Sequence, residues 1–96
     1  MARFLVLWEL DQSRIPEDPA KKKEAWLAAI AEINKDMKSG KVKEWGGFLN
    51  GAGFTVNEGT EEEIYALLLK YIPMCRFTVQ PFISVSQAEK SIKALG

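Results

Sequence analysis

The stretch Trp45-Gly-Gly-Phe-Leu-Asn-Gly-Ala-Gly-Phe-Thr-Val56 decides how the rest of this chain is read. It reads as two strands joined by a tight turn. Asn50, Gly51, Ala52 and Gly53 supply the turn, because glycine takes positive φ at no steric cost. Apolar and aromatic residues flank the turn on both sides, as a hairpin requires. Placing Leu49 opposite Phe54 sets the register, and with it the facing of every neighbour. One face then carries Trp45, Gly47, Leu49, Phe54 and Val56. The other carries Glu44, Gly46, Phe48, Thr55 and Asn57. Gly46 and Gly47 weaken a strand interior, so they mark a bulge or the close approach of a helix, or leave room for a ligand. A bulge there would invert the facing of Glu44 and Trp45.

On the N-terminal side, Arg3–Leu10 alternates as a strand. Phe4, Val6, Trp8 and Leu10 point one way, and Leu5, Leu7 and Glu9 the other. Both faces are largely apolar, which suits a strand in mid-sheet. Asp18 caps a helix that starts at Pro19, runs to about Ser39 and stops at Gly40 in an αL position. Trp26, Ile30, Ile33 and Met37 recur at helical spacing, with Leu27 and Ala29 beside them. Lys21, Lys22 and Lys23 read as a solvated face; phosphate binding is the competing reading.

On the C-terminal side, Thr60-Glu-Glu-Glu63 is a capping box, in which Thr60 caps and Glu63 reaches back. Ile64, Leu67, Leu68 and Tyr71 form the buried stripe of the helix it opens, and Pro73 closes that helix. Arg76–Val85 reads as the last strand. Phe77, Val79, Ile83 and Val85 share one face; Arg76, Thr78, Gln80 and Phe82 share the other. Pro81 cannot donate to a ladder, so this strand is an edge or is bent. Ser86-Gln-Ala-Glu89 reads as a second capping box, opening a short C-terminal helix through about Leu95.

The 96 residues make one domain, 1–96. Thirteen basic and 13 acidic residues cancel, so no net field recruits nucleic acid or an anionic membrane. Cys75 is the lone cysteine, which excludes an internal disulfide and fits a reducing compartment. The apolar run Phe4–Trp8 is too short for a secretory signal, so a cytoplasmic location is expected. The chain has no histidine. That removes His-ligated metal and haem sites and Ser-His or Cys-His nucleophile pairs. No metal site and no cofactor are expected.

The order strand, helix, hairpin, helix, strand is the ferredoxin-like βαββαβ pattern of the α+β class, with a four-stranded antiparallel sheet and a short C-terminal helix. The first strand is expected in the centre, between the third and the fourth. Two helices cover one face of such a sheet. The face assigned to them carries Phe4, Val6, Trp8, Phe54, Val56, Phe77 and Val79. The opposite face carries Leu5, Leu7, Phe48 and Phe82 among polar residues, an apolar patch that monomers rarely expose. A second sheet packed face to face would cover it, so a homodimer is expected.

Gly51-Ala-Gly-Phe-Thr-Val56, the acidic start Glu58-Gly-Thr-Glu-Glu-Glu-Ile-Tyr-Ala-Leu-Leu68, Tyr71-Ile-Pro-Met74 and Phe77-Thr-Val-Gln-Pro-Phe82 together resemble the dimeric α/β-barrel superfamily. Within it they are most similar to the muconolactone-isomerase-like branch. The resemblance covers the second half of the chain, and the first half only in the order of its elements. It implies two sheets forming a barrel across a dimer, with a cleft between helices and sheet or inside the barrel. Members of the superfamily include cofactor-free isomerases and monooxygenases, haem enzymes, and ligand-binding or structural domains. Acid–base chemistry there often uses histidine, so no catalytic residue is carried over to this chain.

Six residues are candidates for a ligand cleft. In the expected topology Glu9 and Arg76 are neighbours on the face away from the helices, with Thr55 and Thr78 adjacent there. A carboxylate beside a guanidinium can hold a small polar ligand or provide a base next to a cation. The competing reading is a structural ion pair at a subunit interface. Trp45 offers a stacking surface, though large aromatics in strands usually belong to a core. Tyr65, like Tyr71, lies on or beside the buried stripe of the second helix. Two functions are open: a small-molecule-binding or structural homodimer, and a cofactor-independent isomerase or monooxygenase acting on a small organic acid or ring compound. Whether the chain is an enzyme is not decided by its residues. A cleft with convergent polar groups would favour the second function.

Overall fold

A computed structural model describes residues 2–95. Four strands, β1 (Arg3–Leu10), β2 (Val42–Gly47), β3 (Ala52–Glu58) and β4 (Cys75–Phe82), and three helices, α1 (Pro19–Lys38), α2 (Glu61–Leu69) and α3 (Val85–Lys93), make an α+β architecture. The sheet is antiparallel with the order β2-β3-β1-β4. The first strand lies between the third and the fourth, as its two-sided apolarity requires. β4 is an edge, which accommodates Pro81.

The helix boundaries follow from their caps. Asp18 accepts from the Lys21 N–H at the start of α1, and Gly40 ends the segment at φ +82. At α2 the Thr60 hydroxyl accepts from Glu63 N–H at 3.2 Å, and the Glu63 carboxylate accepts from Thr60 N–H at 3.0 Å. α3 differs from expectation. Its cap is Ser84, not Ser86, with Gln87 closing the box. Ser84-Val-Ser-Gln87 satisfies the same rule two residues earlier, and the strand has already ended at Phe82. Ile83 and Val85 are therefore outside the sheet.

The hairpin register also differs. The loop is Leu49-Asn50-Gly51, closed by Phe48 N–H donating to the Ala52 carbonyl at 2.7 Å, and among its residues only Gly51 has positive φ. Phe54 stands opposite Gly46, not Leu49, and Thr55 stands opposite Trp45. The shift is an odd number of residues, so the facing of β3 inverts. Against β1, Phe4 pairs with Asn57, Val6 with Thr55 and Trp8 with Gly53. Phe54 and Val56 therefore lie on the face of Leu5 and Leu7, opposite to the expected assignment. Gly46 and Gly47 hold no bulge. The bulge falls between Val42 and Glu44, where Lys43 is the extra residue. It turns Val42 and Trp45, three positions apart, onto the same face.

The core follows from this facing. Phe4, Val6 and Val42 pack with Ile64, Leu67 and Leu68 of α2, and Trp45, Tyr71 and Phe77 adjoin them. Asn57 is fully buried in the same layer. It accepts from the Thr55 hydroxyl at 2.6 Å and donates to the Lys41 carbonyl at 3.2 Å, so its amide is satisfied. Among the described residues no helix is long and apolar enough to cross a membrane.

Candidate functional site

An apolar cleft of about 310 Å³ is bounded by α1, the sheet and the end of α2. Its size sits at the low end for small-molecule pockets. The sheet contributes Trp8, Trp45, Thr55 and Phe77; α1 contributes Trp26, Ala29, Ile30 and Ile33. The indoles of Trp8 and Trp45 stack at 5.5 Å between centroids with 19° between planes. Such offset stacking of rings from β1 and β2 spans β3 because Gly53 lies between them. A side chain at Gly53 would strike the Trp8 indole and the Gly46 carbonyl. Glycine is required there by close approach and not by a turn.

The α1 stripe read from the sequence lines this cleft without filling a core. Trp26 is 45% exposed and Ile30 40%. The one buried residue of α1 is a charged one, Asp36. Its carboxylate receives Lys70 Nζ at 2.8 and 2.9 Å and the Tyr71 hydroxyl at 3.1 Å. Glu32 joins the same ammonium at 3.3 Å. This network ties α1 to the end of α2 beside the cleft, of which Tyr71 is a wall residue.

The network fixes protonation states. Burial first, then the charge of Asp36 and the hydrogen bond to it, push the Tyr71 phenol far above its ordinary value of 10.0. For Lys70 burial alone would lower the ammonium, but its bonds to Asp36 and Glu32 outweigh that and raise it. Burial pushes the Cys75 thiol up from 9.0. At neutral pH the titratable groups at the cleft wall are therefore a neutral phenol and a neutral thiol. Neither is a base or an activated nucleophile. The cleft surface is almost wholly apolar: the Thr55 hydroxyl donates to Asn57, the Tyr71 hydroxyl donates to Asp36, and a third polar group lies behind the wall, Trp8 Nε1–H. The last is buried and has no hydrogen-bond partner.

Of the six residues expected at a cleft, Trp45 and Thr55 line it. Thr55 does so because β3 is inverted relative to expectation, which also separates it from Thr78. Glu9 and Arg76 are register partners on the face away from the cleft, as expected, but both are exposed. No ion pair within 4.0 Å joins them; the ion pairs among the described residues lie elsewhere. Thr78 shares their face, opposite Leu7. Tyr65 is 65% exposed and points away from the core stripe of Ile64, Leu67 and Leu68, so it is not a cleft residue. Asp36 and Lys70 were missed by the sequence reading. The signal was there: Asp36 follows Ile33 by three positions on the inward side of α1, where a carboxylate needs a partner.

No protein-family model matches this chain, and a search of curated proteins finds no relative. The reading of the site therefore rests on its own geometry.

Proposed function

We propose that this protein is a homodimeric small-molecule-binding domain of the ferredoxin-like, dimeric α/β-barrel kind, with two helices over one face of its sheet. Its ligand is a small, largely apolar ring compound held in the cleft between α1 and the sheet. The observation that carries this reading is the wall of the cleft: three tryptophans, Phe77 and Tyr71 around a volume of about 310 Å³. That volume suits one ring system with short substituents, and flat aromatic walls favour flat ligands. The near absence of exposed polar atoms in that wall favours an uncharged ligand.

The enzymatic alternative, a cofactor-independent isomerase or monooxygenase, has less support. Such chemistry needs a base at the reacting atom, and the cleft wall offers only a phenol and a thiol that keep their protons. The homodimer is supported by the corrected facing. With Phe54 and Val56 added to Leu5 and Leu7, the uncovered face is more apolar than the sequence reading held, and Leu7 is 43% exposed.

Titration with 2-naphthol, followed by quenching of tryptophan fluorescence and by calorimetry, tests the cleft. Saturable binding at one site per chain is expected, abolished by Ala29→Trp, which fills the cleft from α1. Binding that is unaffected by Ala29→Trp, or no binding at all by any hydroxylated bicyclic ring, overturns the reading.

A further inference from the structure

α3 stands largely exposed beside the body of its own chain. It buries no residue, and its apolar side chains lie on one stripe: Val85 86% exposed, Ala88, Ile92 67% and, just past its end, Leu95 83%. The spacing of three, four and three is a helix-packing seam, not a solvated face. The whole molecule is correspondingly extended. Its radius of gyration is 16.0 Å, against ~12.5 Å for a compact domain of this length, and its long axis is 61 Å. Its accessible surface is 7181 Å², against ~5,500 Å² for a compact monomer of 10.8 kDa.

We propose that α3 is an arm exchanged between two copies of this chain, its Val85–Ala88–Ile92–Leu95 seam packing on the body of the second copy. This rests on the homodimer reading above and adds the element that the copies exchange. The surplus surface, roughly 1,600 Å² per chain, exceeds the ~800 Å² per partner that a stable interface buries, so one twofold pairing can absorb it. A chain of net charge zero meets its own copy without long-range repulsion. A membrane surface suits the arm less well. Glu89 is paired with Lys93 at 2.8 Å on the polar side, leaving little of the basic surplus that anionic lipid selects.

Sedimentation velocity over a dilution series of the full chain, wild type and Ile92→Glu, tests the proposal. The wild type is expected to be dimeric. The variant is expected to dissociate at least ~100-fold more readily, because each dimer loses two buried isoleucines. Since Ile92 is 67% exposed and belongs to no buried core of its own chain, the variant keeps the far-ultraviolet dichroism of the wild type. A dimer whose dissociation constant ignores Ile92→Glu overturns the arm and leaves the homodimer standing. A wild type that stays monomeric through the micromolar range, with or without binding to phosphatidylserine vesicles, overturns both. A second measurement covers a variant that misfolds. Unlabelled chain carrying a nitroxide at Ser91→Cys, in a Cys75→Ala background, is mixed with ¹⁵N-labelled wild type. Broadening of body amides in the labelled copy is expected; its absence overturns the exchange.

Discussion

Asp36 is the residue on which the two helical segments depend. Its carboxylate is 4% exposed, whereas Lys70 is 38% exposed. Removing the lysine strands a buried charge, and removing the carboxylate leaves an ammonium that water can still reach. Lys70→Met is therefore expected to destabilise by about 3 kcal/mol, and Asp36→Asn by less. Urea denaturation of the two variants checks the order; equal losses would contradict it. The same cluster sets an alkaline limit. Tyr71 and Lys70 both hold their protons more tightly folded than unfolded. Their contribution is whole below pH ~10 and declines as pH rises above it, where the unfolded chain releases protons that the folded chain retains. Melting temperatures measured from pH 8 to 12 should fall beyond pH ~10, and less steeply in Tyr71→Phe. A flat profile would show that the cluster is not formed.

The elements were legible wherever local chemistry acts alone. Asp18 with Pro19, and Thr60 with Glu63, start their helices where the sequence places them. Thr60→Ala should cost about 1 kcal/mol, read as a lowered denaturation midpoint; no change would mean that the α2 cap is not formed in solution. The hairpin was legible as a hairpin but not in its register. Two glycines near the turn, Gly51 and Gly53, do different work. Gly51 supplies positive φ, while Gly53 gives room to the Trp8 ring from a neighbouring strand. No local signal separates these uses, because the second depends on a contact far along the chain. Counting Gly53 into the turn inverted β3, and with it the places of Thr55, Phe54 and Val56. Gly53→Ala is expected to destabilise by about 2–3 kcal/mol through overpacking against Trp8 and the Gly46 carbonyl, with loss of the indole stack visible in near-ultraviolet dichroism. A neutral substitution would contradict the register. The end of β4 was misplaced for a similar reason. Ile83 and Val85 continue an alternating pattern, but Ser84 can cap a helix, and the cap prevails.

At the scale of the whole molecule, the sequence showed two apolar sheet faces and therefore a need for covering surfaces. The strand order agrees with that expectation, and the uncovered face is apolar in Leu5, Leu7, Phe54 and Val56. The cleft was not legible, because periodicity reports which residues are apolar and not how closely two layers approach. Trp26, Ile30 and Ile33 read as an ordinary core stripe, yet in the fold they line open space. The Glu9–Arg76 neighbourhood was correctly placed and lies on the other side of the sheet from that space. Ring binding in the cleft is the central claim, and a ¹H–¹⁵N correlation spectrum recorded through a titration with 2-naphthol tests it most directly. The account predicts shifts concentrated at the indole N–H of Trp8 and Trp45 and the amides of Thr55, Tyr71 and Phe77, with Glu9, Thr78 and Arg76 unmoved. Shifts confined to the open sheet face or to α3, with the two indoles unchanged, would contradict it.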